Sequence, residues 1–297
     1  MTARRFARFA KLRVGLLGCC LAAAAVAVTS CAHPASAPIG SGSVAPQAAA
    51  VAPSDQPGGR ARAVRMDTER GQFAGCEDRI TRAGGRVPVL AIVGASYTAG
   101  VGPDNPALSW AADLARNLRW DAVIDGDPGA GFTSSGTDGL GPMARLLTVE
   151  RLPSLSPALV ILQAGYDDGR VPTDIERQQV MRTVEQVRAQ SPHAQIGLVT
   201  VFTSPGPIPT RFYRVNATII AAARSVDPNA IIMDPLLERW VYQHADHDRG
   251  LHPTAAGDAW IARKVGSILR GHGIDRRPAT AGAGPITCDF RVPAARV

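Results

Sequence analysis

The sequence predicts an α/β domain: a parallel sheet with helices on both faces. Three observations lead there. Short runs of β-branched and aliphatic residues recur along roughly 230 residues, the size of one such domain. Amphipathic helical patterns lie between those runs, and that alternation implies parallel strands buried on both sides. Glycines and polar residues gather just after the runs, where open α/β sheets bind ligands beyond the carboxyl ends of their strands. No internal repeat competes with this reading.

The elements follow in order. Val87–Val93 reads as the first strand. Leu108, Ala112 and Ala115 mark one face of a helix, and Asp121–Ile124 the second strand. Ala158–Gln163 is the third. Thr173 and Glu176 have the spacing of a capping box, opening a helix that carries Val180, Val184 and Val187 on one side. Gln195–Phe202 is the fourth strand, Phe212, Val215, Ile219 and Ala222 the next helix, and Ala230–Met233 the fifth strand. Ile261, Val265 and Ile268 mark the last helix. Beyond Gly273 the tail reads as irregular.

The N-terminal segment has a different character. Arg4, Arg5, Arg8, Lys11 and Arg13 precede an apolar run from Val14 to Val28, with no acid among them. This is the pattern of a signal peptide, and the run is too short and too rich in alanine for a spanning helix. It ends in Val28-Thr29-Ser30-Cys31, which resembles the bacterial lipobox, in which the cysteine takes a lipid. Residues 1–31 are therefore expected to be a lipoprotein signal, with the membrane reached through an anchor on Cys31, or the protein secreted if the lipobox is not used. Residues 32–65, mostly Ala, Pro, Ser and Gly, cannot bury a core and read as a disordered tether. The folded domain is assigned to residues 66–297.

Charge and cysteines fit export. The formal charge is +7, but five of the bases fall in residues 1–30, so the exported chain carries only +2. That is no footprint for nucleic acid. Cys19 and Cys20 leave with the signal, and Cys76 and Cys288 remain, one near each end of the domain. In an oxidising compartment those two are expected to pair and tie down the tail. Lys11 and Lys264 are the only lysines, an arginine bias that suits a GC-rich bacterial genome.

The exits of the predicted strands carry the chemistry. A serine nucleophile needs a base, a group to orient that base and donors for the oxyanion. Ser96 follows the first strand, His252 precedes the last helix, and Asp248 lies shortly before it. Ser…Asp…His is a known chain order for triads. The Gly-x-Ser-x-Gly elbow fails here, because Thr98 stands at its last position. The chain instead resembles the SGNH, or GDSL-like, hydrolases. "GASYTAG" is similar to their first block, "PGAGFT" to the second, "GYDD" to the third and "LHPT" to the fifth, in order across most of the domain.

The resemblance implies a flavodoxin-like three-layer sandwich with a five-stranded parallel sheet in the order 2-1-3-4-5. It implies Ser96 as nucleophile, His252 as base and Asp248 as the acid that orients it. It places the oxyanion hole at the N–H of Ser96, the N–H of Gly131 and the side chain of Asp167. Three departures are visible. Ala95 replaces the family's usual Asp. Asp167 stands at an Asn position, where an ionised carboxylate accepts hydrogen bonds and cannot donate. Arg249 occupies the usual acid position, so Asp248 lies four residues before His252 instead of three.

The implied activity is hydrolysis of short-chain or O-acetyl carboxylic esters through an acyl-enzyme, on the outer face of the cell membrane. The substrate is a small ester or an acylated glycan or lipid, and no cofactor is expected. His244, Asp246, His247 and His252 also invite a metal reading. Acids and histidines on a loop are more often solvated, and no metal is expected. Two other functions stay open: a catalytically impaired binding protein on the same scaffold, and an acyltransferase using a sugar acceptor.

Overall fold

The computed structural model describes residues 74–83, 87–103, 105–137, 139, 141, 143–144, 147, 152–202, 207–240, 250–277 and 285–291. The signal segment, Cys31 and the tether lie outside the described residues, as do His244, Asp246, His247 and Asp248.

Helix α1 spans 74–82. The strands are β1 (Val89–Gly94), β2 (Asp121–Gly126), β3 (Leu159–Gln163), β4 (Gln195–Val199), β5 (Ile231–Met233) and β6 (Thr287–Arg291). Among the described residues all pairings between the sheet's strands are parallel, and the order is β6-β2-β1-β3-β4-β5. The inner five strands keep the expected 2-1-3-4-5 order. The sixth corrects the expected strand count: part of the tail is not irregular but pairs along the outer edge of β2. Cys288 of β6 is bonded to Cys76 of α1, 212 residues away. Closing so long a loop restricts the unfolded chain by up to about 5 kcal/mol in the chain-entropy account. The edge strand is thus tethered where a single neighbour holds it, and Asp121 Oδ1 adds a hydrogen bond from the Ile286 N–H at 2.7 Å.

The sheet sorts its side chains by alternation. Leu90, Ile92, Ile124 and Ile161 face a layer made by α2 (Trp110–Leu118) and the C-terminal helix. Ala91, Val93, Val160, Leu162, Ile196 and Leu198 face the opposite layer. Between β2 and β3 the short α3 (Leu152–Leu155) adds its leucines to the core. Helices α4 (Thr173–Gln190) and α5 (Thr210–Val226) cover that second face, and α6 (Ala255–Gly271) lies beside α2 on the first. Every residue of β1, β2 and β3 is buried. This is why they read as near-continuous apolar runs, interrupted at Asp121, Asp125 and Gln163, rather than as alternating ones.

Two local expectations change. Leu108 is not on the face of α2: it ends a 3-10 turn, Pro106–Leu108, and is 40% exposed. Ser109 follows as the cap, its side chain accepting from the Ala112 N–H, so the helix starts only after it. The capping box at Thr173 does not form either. Pro172 is the N-cap of α4 and no side chain caps the helix. The helix therefore starts one residue early for a box, and Glu176 turns inward to 1% exposure.

Helix α6 is where the predicted base is anchored. Thr254 caps it by accepting from the Gly257 N–H at 3.3 Å. Asp258, buried in its first turn, accepts from the Trp110 N–H at 2.9 Å. That bond fixes the start of α6 against the start of α2.

Candidate active site

The order in which strands are added to the sheet reverses at β1. From there the chain goes to β2 on one side and, later, to β3 on the other, so the exits of these strands converge at a switch point. Gly94, the last residue of β1, stands in register with Gly126 of β2 and Gln163 of β3.

The turn after β1 is held from β3. Ala95 N–H donates to the backbone oxygen and to Oε1 of Gln163, both at 3.2 Å. The same Oε1 accepts from the Thr98 N–H at 3.3 Å and the Thr98 hydroxyl at 2.9 Å. Gln163 is buried, and one amide oxygen thereby gathers donors from both sides of Ser96. Gly94 is required by this fold-back, since a Cβ there would lie 2.2 Å from Thr98 Oγ1. Among residues 91–100 only Ser96 is not buried. Its Oγ lies 2.9 Å from His252 Nε2, within the reach of proton transfer. The two residues that sequence reasoning placed 156 apart are brought together.

The exit of β2 is organised by a residue to which the sequence reading assigned no part in the site. Asp168 is fully buried, and its carboxylate accepts from the N–H groups of Phe132 and Thr133 at 2.9 Å each and of Ser134 at 3.3 Å. It also accepts from the Thr133 hydroxyl at 2.5 Å. Ser134 Oγ donates in turn to the Asp167 carbonyl at 2.9 Å. The loops after β2 and β3 are stitched together by these bonds.

This network revises the reading of Gly131. Its N–H already donates to the Ser134 carbonyl at 3.1 Å and is not a spare donor for an oxyanion. Glycine is needed there for another reason: a Cβ would fall 2.4 to 2.6 Å from the Asp168 carboxyl atoms. Two residues earlier, Gly129 has φ +78°. Among the described residues neither its N–H nor that of Ser96 makes a hydrogen bond.

Asp167 lies half-exposed beside this cluster. Burial first, then the charges of Asp168 and Asp127, raise its carboxyl to about 6. Glu176 is pushed further, to about 8, by burial and Asp168, with Arg214 acting the other way. Burial and like charge thus delay the ionisation of these two carboxyls, Asp167 to the mildly acidic range and Glu176 past neutrality.

Residues 92–260, more than half of the chain, match the GDSL-like lipase/acylhydrolase family. Among solved structures the chain is similar to a carbohydrate esterase family 2 enzyme with a carbohydrate binding domain from Corynascus thermopiles (Myceliophthora fergusii). The identity is 20%, over 63% of this chain and 67% of that one, with a TM-score of 0.52. It is similar to an active-site mutant of a family two carbohydrate esterase from Clostridium thermocellum at 18% identity, over 62% and 63% of the two chains, with a TM-score of 0.50. A putative lipolytic protein of the G-D-S-L family from Desulfitobacterium hafniense matches at 18% identity over 61% of this chain and 99% of its own, with a TM-score of 0.49. At such identities the likeness is one of fold. The chain spans about two thirds of the length of the two esterases. No curated protein matches it.

Proposed function

The chain belongs to the GDSL-like lipase/acylhydrolase family and is by class a serine ester hydrolase, and on that premise we propose that Ser96 is its nucleophile and His252 its general base. The observation that carries this is the 2.9 Å approach of His252 Nε2 to Ser96 Oγ. Ser96 Oγ attacks the ester carbonyl as the imidazole takes its proton. The imidazolium returns that proton to the leaving alcohol, and an acyl-enzyme forms. Water, activated by the same imidazole, then releases the acid. Asp248 orients the imidazole. The developing oxyanion is received by the N–H groups of Ser96 and Gly129 and by the neutral form of the Asp167 carboxyl.

The acyl group in this reading is small and sits on a glycan. The shared fold with a carbohydrate esterase supports a sugar ester. The test compares acetate release from an acetylated xylan with hydrolysis of p-nitrophenyl acetate and p-nitrophenyl octanoate by the mature protein. The acetyl esters are expected to be favoured over octanoate by at least about tenfold in kcat/KM, the discrimination a pocket of fixed length provides. A preference for octanoate overturns the small-acyl assignment.

The protein works at the outer membrane face in this account, held by a lipid on Cys31 and reaching out on the tether of residues 32–65. Cells fed a labelled fatty acid are expected to incorporate it into wild-type protein and not into Cys31→Ser. Equal labelling of both removes the anchor from the proposal.

A further inference from the structure

We propose that Tyr97 is a positioning residue for the catalytic pair, holding His252 in place from the turn that carries the nucleophile. The inference rests on the reading of Ser96 and His252 given above.

Tyr97 follows Ser96 directly, and its side chain is 2% exposed. Its phenol donates to the carbonyl of Leu251, the residue before the base. Its ring lies 5.5 Å from the His252 imidazole, tilted by 52°. On another side the ring stacks on Phe202 at 4.3 Å and 6°, and Phe202 in turn meets the edge of Trp240 at 6.1 Å. The ring therefore cannot swing. One side chain spans the exit of β1 and the chain entering α6, the two segments that must stay in register for proton transfer.

Two physical consequences follow. The hydrogen bond to Leu251 fixes the backbone immediately before His252 on its upstream side. Downstream, Pro253 and the Thr254 cap of α6 already fix it. A base held on one side only is free to drift, and a displacement of about 1 Å at a reacting group costs on the order of 100-fold in rate. The ring also stands within the roughly 6 Å at which an aromatic face attracts a cation. Its attraction grows when His252 becomes imidazolium, which is the state formed as Ser96 attacks. Tyr97 thus acts through the base.

Ala95 stands where the family has an acid supporting the turn. Gln163 gathers the turn from the β3 side, and Tyr97 ties it to the segment before α6.

The experiment uses the mature protein and two variants, Tyr97→Phe and Tyr97→Leu. Readouts are kcat, KM, the second-order rate of labelling by a fluorophosphonate, Tm and the pH profile of labelling. Tyr97→Phe keeps the ring and loses the bond to Leu251. Its kcat and labelling rate are expected to fall about tenfold with KM unchanged, the split of an interaction needed only for the chemical step. The midpoint of its pH profile stays where it was. Tyr97→Leu also loses the aromatic face, so labelling falls about 100-fold and the histidine limb moves to lower pH. Tyr97→Phe labelling at the wild-type rate, whatever its Tm, overturns the proposal. Should Tyr97→Leu fail to fold, Tyr97→Phe decides alone. Wild-type protein that resists the fluorophosphonate refutes the catalytic reading itself, a result distinct from the failure of Tyr97.

Discussion

Replacing Ser96 with alanine is expected to reduce kcat by about 10⁴-fold or more, because nucleophile and base act as a unit and the residue left behind retains only binding and oxyanion contributions. The variant should remain folded. Ser96 is the one residue of the turn that is not buried, and the hydrogen bond its side chain makes is to His252. The turn itself is held by Gln163 through Ala95 and Thr98. Loss of the hydroxyl should therefore leave stability within about 0.5 kcal/mol, as for other surface changes. His252→Ala should cost a similar factor in rate, and the double variant should be no slower than either single one. The measurement is intact-protein mass after fluorophosphonate treatment, alongside kcat. One adduct on wild type and none on Ser96→Ala is the expected pattern. An adduct that survives in Ser96→Ala places the nucleophile elsewhere.

The reasons why some of this was legible in the sequence, and some not, are physical. Strands buried on both faces are mostly apolar, so β1 to β4 stand out as runs even though β2 carries Asp121 and Asp125. Strand β6 is Thr-Cys-Asp-Phe-Arg at an edge, and its composition carries no such signature. What its sequence does carry is Cys288, whose pairing with Cys76 is expected of an exported chain and owes nothing to periodicity. In the site, Ser96 and His252 were readable because each sits in a short local motif. Gln163 and Asp168 were not readable in their roles. Gln163 acts across the β1–β3 register, and Asp168 across to the loop after β2. Neither partnership leaves a trace at fixed sequence spacing. The one available hint was a polar residue closing an otherwise apolar strand, Leu159–Gln163, where a buried amide must find partners. Gly131 is ambiguous for a related reason. A glycine in a loop offers an N–H and also offers room, and the sequence does not say which is used. Here the room is filled by the Asp168 carboxyl.

The Asn-to-Asp departure at Asp167 leads to the second large effect, and its sign follows from protonation. A neutral carboxyl donates a hydrogen bond to an oxyanion, whereas an ionised one only accepts and repels it. Burial and the charges of Asp168 and Asp127 hold Asp167 at about 6. By that value about half of the protein carries the donor at pH 6 and only about 1% at pH 8. The base requires the opposite: its imidazole must be neutral to take the Ser96 proton. Wild-type kcat/KM should therefore fall about tenfold per pH unit on the alkaline side of about 6. Asp167→Asn supplies an amide donor at every pH. It should match wild type within a few-fold at pH 5 and exceed it by about 100-fold at pH 8, with the alkaline limb gone. Stability follows the same linkage. A carboxyl raised in the folded state contributes stability that is complete below its ordinary value of 3.8 and is lost as pH rises through about 6. The variant should therefore also flatten Tm between pH 4 and 7. A wild-type profile that climbs to a plateau at pH 8, together with a slower Asp167→Asn, would mean that the carboxyl points away from the reacting carbonyl. The backbone donors would then carry the oxyanion alone.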